Sequence, residues 1–224
     1  MLYFLENHDE QRIASDFFAG DGKKGVPGVI VSALLNKNPF MFYAGQEWGE
    51  RGMDAEGFSG CDGRTTIFDY WGVRSLQAWA NQGKWDGAGL DEEQKELRDF
   101  YVKLLNIART EKAITEGKMF DLEYAQTEGF NKHEQYTYLR HYAPAKGKAE
   151  TLLMVMNFDD HDVDVRVRIP AEAFAYMGIE QRLEVTLKDL LTGREVNVPF
   201  CVGKSIDLPM PAWKGAIFKV QNNR

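Results

Sequence analysis

The hydrophobic period of this chain changes once, near residue 113, and that change limits what it can fold into. Before it, short unbroken apolar runs (Leu2-Tyr3-Phe4-Leu5 and Pro39-Phe40-Met41-Phe42-Tyr43-Ala44) take turns with segments of helical spacing. After it, apolar and polar residues alternate one by one, as in Val163-Asp164-Val165-Arg166-Val167-Arg168-Ile169. An unbroken run suits a strand covered on both faces, as in a parallel sheet flanked by helices. Strict alternation suits a strand with one wet face. The chain therefore reads as α/β followed by all-β, with residues 1–112 forming one part and residues 113–224 the other.

In the front part, Pro27 suits a first helical turn, and Val29, Ile30, Ala33 and Leu34 then recur at helical spacing. A second buried strand is expected from Pro39 to Gly45, with proline at the tolerated first position. A long connection rich in Gly, Asp and Trp runs from about Gln46 to Leu90. Connections of that length are functional or carry short elements of their own. Asp91 with Gln94 forms a capping-box pattern, and Leu97, Tyr101, Leu104, Leu105 and Ala108 supply the apolar stripe of the helix it opens. In the back part, strands are expected over 120–125, 136–142, 151–158, 163–169, 183–187, 195–201 and 216–220. Turn residues separate them, which predicts an antiparallel sandwich of seven or eight strands.

Charge narrows the range of partners. The 224 residues carry 34 acidic and 27 basic side chains, a net charge of −7. A nucleic-acid binder needs a basic face to displace counterions, and docking on anionic lipid needs the same. Neither nucleic acid nor a membrane is an expected partner. The start of the chain has no basic segment and meets Glu6 early, so it does not read as a secretory leader. Two cysteines, Cys61 and Cys201, make neither a disulfide framework nor a four-ligand zinc site.

The segment Glu6-Asn7-His8-Asp9-Glu10 carries the chemistry. It places polar groups directly after a buried run, and in parallel βα architectures the active site lies at that end of the strands. An imidazole beside a carboxylate can hydrogen-bond a polyol, and the carboxylate can stabilise positive charge on a sugar ring. On local chemistry alone, Asn7-His8-Asp9 reads more readily as a polar turn capping a strand. Gln46 and Glu47 follow the second run in the same way.

Three weaker features each have two readings. Asp54, Glu56 and Asp62 form either a calcium site or a solvated acidic loop; their spacing fits no EF-hand. Trp48, Trp71, Trp79 and Trp85 either stack on sugar rings or pack the long connection onto the domain. His133, His141 and His161 show no ligand spacing and are expected on the surface or on strand faces.

Taken in order, these segments resemble the α-amylase family of glycoside hydrolases (family 13 type). Phe4-Leu5-Glu6-Asn7-His8-Asp9 is similar to the motif after that family's seventh barrel strand. Pro39 through Glu47 is similar to its eighth strand and following turn, and the helix from Asp91 to its eighth helix. Tyr138-Leu139-Arg140 and Leu153 to Phe158 resemble its C-terminal sandwich.

The resemblance implies the last two βα units of a (β/α)8 barrel followed by a β-sandwich, from an enzyme that cleaves α-glucans such as starch with retention. It implies that Asp9 is the transition-state-stabilising carboxylate, that His8 binds the same sugar, and that Asn7 shapes the site. It gives Gln46 and Glu47 structural roles. Retaining glycosidases need a nucleophile and an acid/base carboxyl ~5–5.5 Å apart. The family's segments that carry them have no match here, and a whole barrel takes ~250 residues. The chain alone is therefore expected to be inactive. A non-catalytic carbohydrate-binding or interaction module is the alternative. The apolar run 2–5, lacking its barrel neighbours, is expected to be covered by a second copy or a rearranged loop.

Overall fold

The structure is a computed structural model that describes residues 1–54, 61–68 and 70–221. The chain divides into two compact units. One comprises Met1–Ala33 with Asn38–Leu105, the other Leu34–Lys37 with Asn106–Arg224. No helix of the described residues is long and apolar enough to cross a membrane.

In the first unit, Asp21 caps a 3-10 turn over Gly22–Gly25 by accepting the Lys23 amide at 2.8 Å. Helix α1, Val26–Leu34, follows directly, and its residues Val29 and Ile30 are fully buried. The two apolar runs meet in parallel. The Tyr3 amide donates to the Pro39 carbonyl at 3.0 Å and the Met41 amide to the Tyr3 carbonyl at 2.7 Å. That pairing is a single bridge between Tyr3 and Phe40.

The expectation of strands covered on both faces is corrected here. Leu2 and Phe4 are 49% and 40% exposed, while Tyr3 and Leu5 are half-buried, so one face alone is covered. A parallel strand buried on both sides needs a paired neighbour on each edge and a layer on each face. Among the described residues the run 2–5 has one such neighbour, and two full βα units are not shown.

The long connection holds helix α2, Arg74–Ala80, and several 3-10 turns. Its first loop is pinched shut where Gly52 meets Gly63. The Gly63 amide donates to the Gly52 carbonyl at 3.0 Å. A Cβ on Gly52 would lie 2.6 Å from the Gly63 backbone, and its φ of 63° disfavours any side chain;. Helix α3, Glu92–Thr110, opens with the expected capping box. The Gln94 amide donates to Asp91 Oδ1 at 2.8 Å and the Asp91 amide to Gln94 Oε1 at 3.0 Å.

The second unit is mostly antiparallel sheet. Its strands are β1 (Lys118–Asp121), β2 (Gln135–Tyr142), β3 (Glu150–Asn157), β4 (Val163–Arg168), β5 (Arg182–Asp189), β6 (Glu195–Phe200), β7 (Ser205–Met210) and β8 (Lys214–Gln221). Six of them form one sheet in the order β1-β2-β3-β8-β5-β6, and β4 pairs with β7 in a second. The inward residues Val165, Val167, Ile206 and Leu208 of the ribbon share one core with Leu153, Val155, Val185, Leu187 and Phe218 of the sheet.

The sequence reading missed β7 because Pro209 interrupts its alternation. In a two-stranded ribbon, proline on a free edge removes no ladder bond. It also missed helix α5, Ala171–Met177, which turns Ala173, Phe174 and Met177 into the core. Strand β1 ends at Asp121, earlier than expected, because the Asp121 carboxylate accepts the Glu123 amide at 2.8 Å and starts a 3-10 turn.

The central strands are also buried on their other face, where Tyr138, Leu152, Met154, Met156 and Ile217 are fully covered. Arg140 sits there, 2% exposed, with no carboxylate within ion-pair distance among the described residues. It donates to the carbonyls of Ala113 (3.0 Å), Leu35 (2.9 Å), Ile114 (2.6 Å) and Gly117 (3.2 Å). These carbonyls belong to helix α4, Lys112–Thr115, and to the chain around it. Glu150 completes the seam by accepting the Ala113 amide at 2.8 Å and the Lys219 ammonium at 3.0 Å.

Truncation by Arg140→Ala strands up to four carbonyls, each costly to leave unmet when buried. We expect a loss of about 3 kcal/mol or more in urea unfolding, with Arg140→Lys recovering part, because an ammonium cannot span the planar fork.

His141 gives a second test. It lies on a face of β2, one of the two places expected, and is buried there, with Nδ1 2.8 Å from Thr151 Oγ1. Burial, with help from Lys118, holds its pKa below the ordinary 6.5. The unfolded chain therefore takes up a proton that the folded chain refuses, so stability is full above that ordinary value and falls as pH drops below it. His141→Gln should lose less Tm than the parent between about pH 7.5 and about pH 5.5.

Candidate functional site

The site is built from a buried ion pair upward. Glu6 ends the first apolar run and is 2% exposed. Its carboxylate accepts Arg12 Nη1 at 2.7 Å and the Ile13 amide at 2.7 Å. Arg12, 1% exposed, donates in addition to the Ala44 carbonyl (2.6 Å) and to Thr65 Oγ1 (3.1 Å). Its guanidinium lies 4.2 Å from the centre of the Tyr43 ring. One side chain thus fastens the end of the first run, the end of the second run and the long connection. Burial raises the Glu6 carboxyl from its ordinary value, against the opposing pull of Arg12.

Between these anchors the chain bows out as Asn7-His8-Asp9. Asn7 Oδ1 accepts the amides of Asp9 (2.8 Å) and Glu10 (2.7 Å), which closes the turn;. His8 Nε2 and Asp9 Oδ1 stand 3.5 Å apart, with side chains 47% and 73% exposed. The turn is braced from the long connection. Arg64 Nε donates to the Asp9 carbonyl at 2.7 Å, and Arg64 Nη1 pairs with Asp62 at 2.9 Å. The result is an exposed imidazole and carboxylate on a backbone held at several points. Beside the anchor lies a cavity of about 190 Å³ lined in part by Arg12, Tyr43, Thr65, Thr66 and Tyr70.

The residues after the second run are turned to structural ends. Gln46 is buried and donates to the Tyr101 hydroxyl at 3.0 Å. Glu47 accepts the Gly45 amide at 3.0 Å. Glu50 accepts the amides of Gly52 (2.9 Å) and Ser75 (3.3 Å) and the Ser75 hydroxyl, so a distant carboxylate caps helix α2.

Of the acidic trio considered for calcium, Asp54 pairs with Arg74 at 3.4 Å and Asp62 with Arg64 at 2.9 Å. Glu56 lies outside the described residues. Among those residues, Asp159, Asp160 and His161 bring ligand atoms together. Their closeness follows from ion pairs of His161 with Asp159 (2.6 Å) and Asp160 (3.0 Å). The tryptophans divide. Trp48 and Trp79 stack at 5.7 Å and pack the connection, whereas Trp71 and Trp85 are exposed.

Sequence reasoning missed Glu6 and Arg12 as a pair. The available signal was an acid and a base flanking the polar turn, each adjacent to apolar residues.

No protein-family model and no curated protein matches the chain. Solved structures do. The α-amylase of Anoxybacillus covers 100% of this chain with 38% of its own, at TM-score 0.60 and 17% identity. A maltogenic α-amylase from Thermotoga neapolitana covers 99% with 41% of its own, at 0.62 and 15%. An α-amylase from Geobacillus thermoleovorans, solved with acarbose, covers 100% with 39% of its own, at 0.60 and 12%. The fold is one that these α-amylases contain. The chain spans about two fifths of the length of each.

The ion pair sets a stability test. Glu6→Leu or Arg12→Leu leaves the other charge buried and unpaired, and each should cost about 3–5 kcal/mol in chemical denaturation. The double variant should lose less than the sum, because it removes both buried charges.

Proposed function

We propose that this chain is the C-terminal portion of an α-amylase-type glycosidase acting on α-glucans, entering at the seventh barrel strand and ending in a β-sandwich. The observation that carries the reading is the Asn7-His8-Asp9 turn. It presents a carboxylate and an imidazole to solvent directly after a parallel-paired segment, on a buried Glu6–Arg12 anchor. Likeness of the whole chain to α-amylase folds supports it. In this reading Asp9 stabilises positive charge that develops on the sugar at the cleavage point, His8 hydrogen-bonds the same sugar, and Asn7 holds the turn in shape. Electrostatic groups fixed in advance act on the transition state without reorganising. The nucleophile and the acid/base carboxyl come from earlier barrel strands. The isolated chain positions one sugar but cannot break its bond, and the reaction needs no cofactor.

The purified chain should release no reducing sugar from starch or maltoheptaose; release at an enzyme-like rate would overturn the reading. In a chimera with barrel strands one to six of a related amylase, Asp9→Asn should lower kcat by about 10²–10³-fold with Tm unchanged. Loss of activity in step with loss of folding would refute the role of Asp9. In the isolated chain, exposed Leu2 and Phe4 offer an open strand edge to a second copy;. Phe4→Lys should shift sedimentation toward monomer.

A further inference from the structure

The loop between β3 and β4, residues 158–162, carries a cluster of ionisable groups that the Asn7-His8-Asp9 site does not use. His161 Nδ1 lies 2.6 Å from Asp159 Oδ1 and 3.0 Å from Asp160 Oδ1. Asp159 is 7% exposed, whereas the side chains of His161 and Asp160 are 67% and 81% exposed. Glu134, half-buried in the turn before β2, brings a third carboxyl within hydrogen-bonding reach of Asp159. One imidazole thus stands among three carboxylates.

The loop is wedged between two turns. On one side, the Phe158 amide donates to the Glu134 carbonyl at 2.7 Å. On the other, in the turn between β7 and β8, the Trp213 amide donates to the Asp159 carbonyl at 3.0 Å and the Ala212 amide to Asp162 Oδ1 at 2.9 Å. Trp213 has a φ of 53°, a left-handed backbone that a bulky side chain disfavours. Such a conformation persists only while its neighbours hold it. Beneath the loop, the fully buried Asn157 donates Nδ2 to the carbonyls of His161, Met210 and Pro211 and accepts the Asp159 amide. These amide contacts do not titrate, so they form a floor that is the same at every pH.

The charge on His161 decides whether the outer contacts are favourable. Protonated, it is the shared counter-ion of Asp159 and Asp160, in hydrogen bonds strengthened by charge. Neutral, it leaves three carboxylates near one another, one of them buried, where like charges repel most strongly. The turn Pro211–Trp213 brings no ionisable side chain. Lys132 and His133 in the Glu134 turn, and Lys214 at the start of β8, are exposed. The groups acting on His161 are Asp160, Asp159 and Glu134, and they raise its pKa above the ordinary 6.5. The folded chain therefore keeps a proton that the unfolded chain releases. The stabilisation is complete below the ordinary value and is lost as pH rises through the folded one, the reverse of His141.

We propose that His161 is a charge-operated latch. Protonated, it draws the β3–β4 loop closed against the turns before β2 and after β7; on losing its proton, it lets that loop and the Trp213 turn loosen. The latch lies in the second unit and does not depend on the glycosidase reading.

Hydrogen exchange of the full chain tests this, followed on the Phe158, Ala212 and Trp213 amides at about pH 6 and about pH 8.5 and corrected for intrinsic rates. In the parent, protection should fall severalfold at the higher pH. His161→Gln should be weakly protected at both values. His161→Arg, whose charge is permanent, should be strongly protected at both. By NMR the His161 imidazole should titrate above 6.5, and Asp160→Asn should bring its pKa down. Both substituted side chains are mostly exposed, and far-UV circular dichroism checks that each variant folds. Four results would overturn the latch: equal protection of the parent at both pH values, the parent's fall repeated in His161→Gln, the same fall repeated in His161→Arg, or a His161 pKa at or below 6.5.

Discussion

The Arg12 guanidinium is the constraint on which the first unit turns. It is almost fully buried, and a charge there persists only if every donor is met;. Its three partners are far apart in sequence: a carboxylate at residue 6, a carbonyl at 44 and a hydroxyl at 65. Meeting all three brings the end of each apolar run and the long connection to one point. The Asn7-His8-Asp9 turn is what remains of the chain between Glu6 and Arg12 once both are locked. Its exposure and its fixed base therefore have one cause. A planar fork with donors in set directions can do this; a lysine at the same position could not.

The second unit meets the same problem differently. Among the described residues Arg140 meets no carboxylate; its donors go to the carbonyl of Leu35 and to carbonyls in and just after α4. Carbonyl partners bring no second charge to desolvate, so the arrangement needs close geometry instead of charge balance. It also caps the short helix α4, whose last carbonyls have no partner within the helix. Lys219 adds a more exposed tie, to Glu111 and Glu150, on the neighbouring strand. Between them, Arg140 and Lys219 explain how a sheet with one face in an apolar core can hold irregular chain on the other.

What could be read from the sequence follows the range of the forces involved. Helices α1 and α3 were legible because spacing, Pro27 and the Asp91–Gln94 box act within a few residues. Strands β2 to β6 and β8 were legible from alternation or from apolar runs between turns. Strand β7 was not, because Pro209 is a breaker in most contexts and is harmless only on the free edge that this topology supplies. Helix α5 was not, because seven residues contain too few turns to show a period. The exposed face of Leu2 and Phe4 was not, because an unbroken apolar run says nothing of how many neighbours it has. The site residues were legible as types in a pattern. Their anchor was not, because the contacts of Arg12 span 6, 32 and 53 positions.

Carboxylates in this molecule fall into two kinds, and the division bears on function. Glu6, Glu50 and Asp189 are buried and accept backbone amides, so each is occupied in holding chain together. Asp9 is mostly exposed, and its carboxylate lies 3.5 Å from His8 Nε2. The backbone of Asp9 is used, by Asn7 and by Arg64, while its side chain is left to solvent. A carboxylate that serves the fold has its oxygens satisfied by protein; one that serves a ligand must keep them open.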